Sequence, residues 1–127
     1  MQLGINNSLP ITTAFKLNGG IFFTNGYNQT VASLSVTDNA TLSFSNSNTN
    51  TFTSNSISSF STGKILTING WEGTYAAPGS TGNFGKFILS GTSLTSSLLS
   101  QIKFYNTSNA TIHNALQLGS YEIVAGN

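Results

Sequence analysis

Side chains that can carry acid–base or nucleophilic chemistry are few in this chain. It has one histidine, His113, and three acids, Asp38, Glu72 and Glu122, and it has no cysteine. A Ser-His-acid triad needs three partners that converge in space, and no Gly-x-Ser-x-Gly nucleophile elbow surrounds His113. We therefore expect His113 to be a surface or turn residue and the protein not to be an enzyme.

A pair of carboxylates for glycoside hydrolysis is the second chemistry to consider. Glu72 directly follows Trp71, which is typical of an aromatic sugar platform beside an acid. The alternative is that Trp71 packs in the core while Glu72 faces water. We favour the alternative because no second acid lies near Glu72 in the sequence.

Metal and phosphate sites are not indicated either. Zinc needs several His or Cys ligands, and calcium would have to rely on the single turn acid Asp38 with Asn39. The Gly-rich residues 79–86 resemble a phosphate loop superficially, but Phe87 follows Lys86 where such a loop has Ser or Thr. We predict no metal and no cofactor, and we interpret residues 79–86 as a flexible loop.

The composition is polar but almost uncharged. Only four lysines and three acids occur among 127 residues, beside 19 Ser, 17 Thr and 16 Asn. A nucleic-acid surface needs clustered Lys or Arg, and no apolar run approaches the ~20 residues of a membrane span. We therefore expect no nucleic-acid partner and no membrane span. Low net charge on a β-prone surface favours self-association.

Short segments alternate between apolar and polar residues, which predicts half-buried strands rather than helices. The predicted strands lie around Leu17, at 21–23, 34–36 and 42–44, around Phe52, and at 65–68, 87–89, 102–104 and 121–124. Turn signals such as Asn25-Gly26 and Asn69-Gly70 separate them. The only predicted helix covers residues 94–101, with Thr95 as its N-cap. The low-complexity residues 45–63 contain apolar anchors, so we expect them to be ordered.

Two spacings suggest a repeat. Leu17 and Val36 are 19 residues apart, as are Phe23 and Leu42. A period near 20 residues is typical of stacked rungs. The sequence thus favours one all-β domain over residues 1–127, a β-solenoid (right-handed β-helix) with one short helix near its C-terminal end. Residues 1–63 would form repeat rungs and 64–127 the C-terminal rungs and cap. Hairpins in a β-sandwich or jelly roll are the alternative.

Several motifs occur in the order found in a bacterial family. They lie at residues 2–10, 15–20, 27–34, 66–73, 94–104 and 119–124. This series resembles the C-terminal part of autotransporter passengers and PEP-CTERM-associated repeat proteins. The resemblance implies a secreted, bacterial β-helical protein at the cell surface or outside the cell. No Pro-Glu-Pro sorting motif or terminal membrane helix follows, so we expect a free or self-assembled module.

The function predicted from these observations is structural or adhesive. We expect an extracellular adhesin-like protein whose strand edges pair with further copies of itself into a filament or surface layer. The candidate assembly edges are Ile21, Phe22, Phe23, Tyr121, Ile123 and Val124.

Two other binding functions remain open. One is a carbohydrate-binding module on a β-sandwich, with Trp71, Tyr75 and Tyr105 stacking on a surface polysaccharide. The other is ice binding by a face that carries Thr49, Thr51 and Thr53, although the neighbouring Asn and Ser are less regular than such a face needs.

The same alternation predicts which side chains form the core. We expect twelve apolar residues to point inward: Leu17, Phe23, Leu34, Val36, Leu42, Phe44, Leu66, Ile68, Phe87, Leu89, Ile102 and Phe104.

Overall fold

A computed structural model describes residues 1–126 of the chain. Its strands are β1 (Ala14–Asn18), β2 (Ile21–Phe23), β3 (Gln29–Val31), β4 (Ser33–Asp38), β5 (Ala40–Ser43), β6 (Asn50–Ser54), β7 (Ile57–Phe60), β8 (Leu66–Asn69), β9 (Gly85–Leu89), β10 (Ile102–Asn106), β11 (Thr111–Gln117) and β12 (Glu122–Ala125). One helix, α1 (Ser96–Leu99), precedes β10. Strands hold 44% of the residues and helix 3%, which confirms the all-β class.

Parallel pairing dominates the first three quarters of the chain. Strands β1, β4 and β7 form a three-stranded parallel sheet, which we call the first column. The second column, β2-β5-β8-β10, and the third column, β3-β6-β9, are also parallel. The antiparallel strands β11 and β12 join these two columns into one nine-stranded sheet. That sheet curls into a half-barrel.

The register agrees with one of the two predicted spacings. Leu17 pairs with Val36, as the 19-residue spacing predicts. In the second column Phe22, not Phe23, pairs with Leu42. The register shifts between Leu17 and Asn18, since Asn18 lies opposite Asp38. This shift lengthens the offset by one residue before β2 begins, which the sequence pattern does not reveal.

The core lies between the columns and contains eleven of the twelve residues predicted for it. The exception is Phe23, which is only half-buried, while Phe22 is fully buried in its place. Phe22 packs against Phe15 with ring centroids 4.8 Å apart and against Phe52 at 5.4 Å. Phe52 packs in turn against Phe87 at 6.0 Å. Aromatic rings therefore connect the columns from one end of the core towards the other.

The backbone just after β8 lies very close to the backbone of Phe44. Gly70 has a φ of +71°, and a Cβ at this position would lie 2.0 Å from the carbonyl oxygen of Phe44. Only glycine fits both the positive φ and this contact. The predicted Asn69-Gly70 turn is thus confirmed, and it directs the chain out of the second column.

The predicted helix forms, but it is shorter than expected. Thr95 is its N-cap, and the Thr95 hydroxyl accepts a hydrogen bond from the Leu98 N–H at 3.2 Å. The segment around the helix is fixed at both ends beside β7. The Thr92 hydroxyl donates to the Asn55 carbonyl at 2.9 Å, and the Gln101 amide donates to the Ser61 carbonyl at 2.8 Å. Residues 92–101 are thus hydrogen-bonded to the chain just before β7, at Asn55, and just after it, at Ser61.

Three strands have no counterpart among the predicted ones: β3, β7 and β11. The low-complexity residues 45–63 are ordered, as expected, since they contain β6 and β7. Asn50, buried in this stretch, accepts from the Ser45 N–H at 3.1 Å and donates to the Ser45 carbonyl at 2.9 Å. None of the described helices is long and apolar enough to cross a membrane.

Candidate association edges and the aromatic cluster

The predicted edge at residues 21–23 is not free, because the start of the chain covers it. The Phe23 N–H donates to the Met1 carbonyl at 2.8 Å, and the Leu3 N–H donates to the Phe23 carbonyl at 3.0 Å. The Met1 ammonium also donates to the Ile21 carbonyl at 2.9 Å. The expectation that Ile21, Phe22 and Phe23 form an open assembly edge is therefore wrong.

Residues 7–9 cover the third column in a similar way. The Asn7 N–H donates to the Asn28 carbonyl at 2.7 Å, and the Asn7 side chain accepts from the Thr30 N–H at 2.9 Å. The buried Gln29 side chain bonds both backbone groups of Leu9, each at 3.0 Å. At this end of the structure, residues 1–9 thus cover the outer edges of the second and third columns.

Strand β1 is the exception at this end. The Leu34 N–H donates to the Ser56 carbonyl, just before β7, and so points away from β1. Since backbone groups alternate along a strand, Ser33 and Ser35 face β1 and bond Phe15 and Leu17. The backbone groups of Ala14 and Lys16 then point outward, and no described residue pairs with them. This row of free N–H and C=O groups is an open strand edge, at a different strand from the two that the sequence pattern indicates.

Exposed apolar side chains accompany this open edge. Met1 is 61% exposed, Ile5 64% and Ile11 61%. Met1 pairs with Phe23 on the outer edge of β2, and Ile11 lies three residues before β1 in the chain. We call these three side chains and the outward edge of β1 the N-terminal end surface. Exposed apolar groups beside an unpaired strand are typical of an interaction site.

The opposite end is closed, which corrects the second predicted edge. Strand β12 lies between β11 and β9, with Ile123 opposite Phe87 and Val124 opposite Leu116. Tyr121 precedes this strand, and its carbonyl accepts from the Leu89 N–H at 3.2 Å. The expectation that Tyr121, Ile123 and Val124 form an open edge is wrong because antiparallel strands pair with them from both sides.

The three predicted sugar-stacking residues do not form an exposed row. Trp71 is fully buried, with its ring 5.1 Å from Tyr75 and 5.1 Å from Phe104, both edge-on. A Cβ at Gly82 would lie 2.5 Å from the Trp71 indole nitrogen, so the loop backbone covers this ring. Tyr105 lies on β10 opposite Ile112. The prediction that Trp71 packs in the core is confirmed, and Trp71 is inaccessible to a sugar.

Two ionisable residues of the enzyme hypotheses lie near Tyr75. The His113 ring packs on Tyr75 at 5.0 Å, and the Thr111 hydroxyl lies 2.7 Å from His113 Nε2. The Glu72 carboxylate accepts from the Thr107 hydroxyl at 3.2 Å. Burial, followed by the negative charge of Glu72, raises the pKa of Tyr75. The cluster therefore disfavours the charged form of the Tyr75 phenol.

Glu122 organises the Gly-rich loop that we expected to be flexible. It is 5% exposed and accepts from the Thr81 hydroxyl at 2.7 Å and the Gly82 N–H at 3.1 Å. The Lys86 ammonium donates to the same Thr81 hydroxyl at 2.7 Å. The loop before β9 is thus hydrogen-bonded to β12, a contact 40 residues distant that local sequence does not signal.

A shallow groove of about 280 Å³ opens on the outer face of the second column. It is lined by Gly20, Asn39, Ala40, Thr41, Ile65 and Thr67. Thr41 and Thr67 are direct neighbours on β5 and β8. The lining is polar but uncharged, so the groove offers hydroxyl and amide contacts to a neutral ligand.

One ion pair lies close to this groove. The Lys64 ammonium is 3.2 Å from the Asp38 carboxylate. The Asn39 N–H, followed by Lys64, lowers the pKa of Asp38.

Comparison with known proteins adds no relative to these observations: no family model, no curated protein and no solved structure matches the chain. Within residues 1–126 no three His, Asp or Glu side chains lie close enough together to hold a metal ion. The N-terminal end surface and the groove are therefore the two features on which a function can be argued.

Proposed function

We propose that this chain is an extracellular structural or adhesive protein that self-associates through a strand edge, as a unit of a fibre or surface layer. The observation that carries the proposal is the unpaired outward edge of β1, at the end of the chain where Met1, Ile5 and Ile11 are also exposed. Few charges oppose contact between copies, since only seven residues of the chain are charged. Backbone pairing with a further strand would satisfy the free groups of Ala14 and Lys16.

We also propose that the underlying architecture is a β-solenoid. The chain order β1-β2-β3, β4-β5-β6 and β7-β8-β9 follows the same three columns in each pass, which supports this interpretation. An asparagine ladder supports it as well. Asn6 Oδ1 accepts from the Asn28 N–H and Asn28 Oδ1 from the Thr51 N–H, both at 2.8 Å. Equivalent contacts at offsets of 22 and 23 residues are what stacked rungs produce.

The location outside the cell rests on the sequence resemblance and on composition. Motifs in the order found in autotransporter passengers and PEP-CTERM-associated proteins imply export. A surface rich in Ser, Thr and Asn, with only four lysines, supports the same location. Protease accessibility on intact cells that express the protein would test this part of the proposal.

Electron microscopy and sedimentation of the purified protein test the self-association. We expect assembly that grows with protein concentration and changes little between low and high salt, because backbone pairing and apolar burial drive it rather than charge. Glu72→Gln and His113→Ala should leave assembly unchanged, since both side chains lie in the cluster around Tyr75. A protein that stays monomeric at high concentration would refute the proposal.

A second candidate function is the binding of a neutral polysaccharide in the groove on the second column. The observation that favours it is the uncharged lining, with the Thr41 and Thr67 hydroxyls side by side. Pull-down with insoluble cellulose, chitin and starch would test it. The double variant Thr41→Val and Thr67→Val should lose binding, whereas Thr53→Val, on an outward position of the third column, should not.

A further inference from the structure

We propose that the N-terminal end surface joins two copies of the chain about a two-fold axis, with β1 of one copy pairing antiparallel to β1 of the other. This inference rests on the proposed self-association through strand edges and names its contact. Its basis is the difference between the two ends of the described residues 1–126: the N-terminal end combines the unpaired edge of β1 with the exposed side chains of Met1, Ile5 and Ile11.

A strand is the partner that pairs with the outward N–H and C=O groups of both Ala14 and Lys16 at once. A parallel, head-to-tail contact would need the outer edge of β7, the other end of the same column. Residues 92–101 are hydrogen-bonded on both sides of β7, at Asn55 and at Ser61. Residues 92–101 therefore run alongside that edge, whereas no segment within residues 1–126 pairs with the outer edge of β1.

Charge also favours a second copy as the occupant. Lys16 is the only Lys, Arg, Asp or Glu among the first 37 residues, so two such surfaces meet with little repulsion. If Lys16 lies opposite Ala14 of the second copy, Phe15 lies opposite Phe15 across the axis. In this register no lysine directly faces a lysine, the arrangement that destabilises antiparallel pairs. The outward groups of Ala14 and Lys16 form the hydrogen bonds.

The apolar part of the surface adds burial to this pairing. Met1, Ile5 and Ile11 are each more than half exposed in the single chain. A two-fold contact brings the same patch from both copies together, as every isologous interface does. The contact also uses both open edges, so pairing through β1 stops at two copies. Growth beyond the dimer would need a different surface.

Sedimentation equilibrium of the full chain tests the contact. Ile5→Asp places a charge on the apolar part of the surface and should weaken dimerisation at least ~10-fold. Ile112→Asp is the matched control, because Ile112 is equally exposed, at 68%, but lies on β11 at the other end. This control should dimerise like the unchanged protein.

Two changes at one position test the strand pairing itself. Lys16→Pro removes an outward N–H that pairs with nothing in the single chain, and should weaken dimerisation at least ~10-fold while the fold remains. Lys16→Thr keeps the N–H and removes the charge that protects the edge, and should tighten dimerisation by roughly 3-fold or more. Thermal unfolding of each variant identifies any that fail to fold, and Ile5→Asp then carries the test.

The outcomes separate this inference from the proposed function. A dimer weakened by Ile5→Asp and Lys16→Pro, but not by Ile112→Asp, supports the β1 contact and self-association through a strand edge, and electron microscopy then tests whether these dimers assemble further into a fibre or layer through a different surface. Fibres or layers that form equally well in all variants overturn the β1 contact and leave the proposed function in place. A protein that is monomeric in every form refutes the proposed function and this inference together.

Discussion

The two ends of the molecule solve the same physical problem differently. A parallel column has an unpaired edge at its first and last strands, and such edges attract other strands. At the C-terminal end β11 and β12 pair with β10 and β9, while residues 92–101 flank β7. At the N-terminal end residues 1–9 cover two columns, and β1 keeps its outward edge.

The closed end uses a buried carboxylate in its long-range contacts, whereas the open end uses uncharged side chains. Six of the seven charged residues follow residue 37, and the buried Glu122 joins the loop at Thr81 and Gly82 to β12. At the open end the side-chain contacts come from uncharged amides such as Asn7 and Gln29. The difference indicates that a buried charge helps to stabilise the closed end, whereas the open end is where we propose that copies associate.

Proline substitutions at the two ends should give the largest contrast. Ile123→Pro falls in β12, which pairs on both sides, so it removes a ladder hydrogen bond inside the sheet. We expect the cooperative fold to be lost, which circular dichroism would show as the absence of a cooperative thermal unfolding transition. Lys16→Pro should keep its transition within a few degrees. Equal loss in both variants would contradict the assignment of open and closed ends.

Truncating Phe44, a core residue that packs against the start of β9, should have the next largest effect on the free energy of unfolding. Phe44 follows β5 and is 3% exposed, and its ring lies where a Cβ at Gly85, the start of β9, would be. Phe44→Ala should lower the free energy of unfolding by about 3–5 kcal/mol, because a cavity remains between the two segments. Urea unfolding measures it. Phe23→Ala, at a half-buried residue, should lower the free energy of unfolding by less. A larger loss for Phe23→Ala than for Phe44→Ala would contradict the core register.

The local part of the fold was predictable because period-two alternation determines which side chains are inside. Leu34 and Val36, or Leu66 and Ile68, carry that pattern without interruption. Phe22 and Phe23 do not, since two adjacent aromatic rings leave the inward one undetermined, and the register shift after Leu17 decides it.

Long-range pairing was not predictable in the same way. The final strand, Tyr121 to Val124 in the sequence, could equally be an edge or an interior strand, because alternation does not show what lies beside it. Its position between β11 and β9 depends on contacts tens of residues away. Likewise, nothing local signals that Met1 and Leu3 cover β2 while β1 stays open.

Glu122 should matter more than the other carboxylates, which tests the polar closure of the C-terminal end. The two carboxylate oxygens of Glu122 accept separately from the Thr81 hydroxyl and the Gly82 N–H. The neutral amide of Glu122→Gln has a single carbonyl oxygen and cannot replace both acceptors. We expect a loss of about 1–3 kcal/mol in the free energy of unfolding. Glu72→Gln, at a half-exposed residue, is the control and should change it by at most ~0.5 kcal/mol. Similar losses in both would contradict a specific role for Glu122.

The asparagine ladder gives a smaller effect near the open end. Asn28→Ala removes the acceptor for the Thr51 N–H and should cost about 0.5–1.5 kcal/mol. Asn83→Ala is the control, since Asn83 is exposed and its side chain makes no hydrogen bond among the described residues. Urea unfolding of both variants measures the difference. If both variants match the unchanged protein, the ladder does not stabilise the columns.

The smallest expected effect concerns Asp38, whose ion pair with Lys64 connects the two halves. The Asn39 N–H, then Lys64, lowers the pKa of Asp38 below its ordinary value of 3.8. A lowered pKa in the fold means that the stabilisation is present above pH 3.8 and is lost as the pH falls through the lower, folded value. Melting temperatures from pH 6 to pH 2 should therefore fall slightly less steeply for Asp38→Asn than for the unchanged protein. Lys64→Met should keep most of the pH dependence, because the backbone N–H of Asn39 is the larger cause. A pH dependence that disappears in Lys64→Met would show that the ion pair, and not the turn, holds the carboxylate.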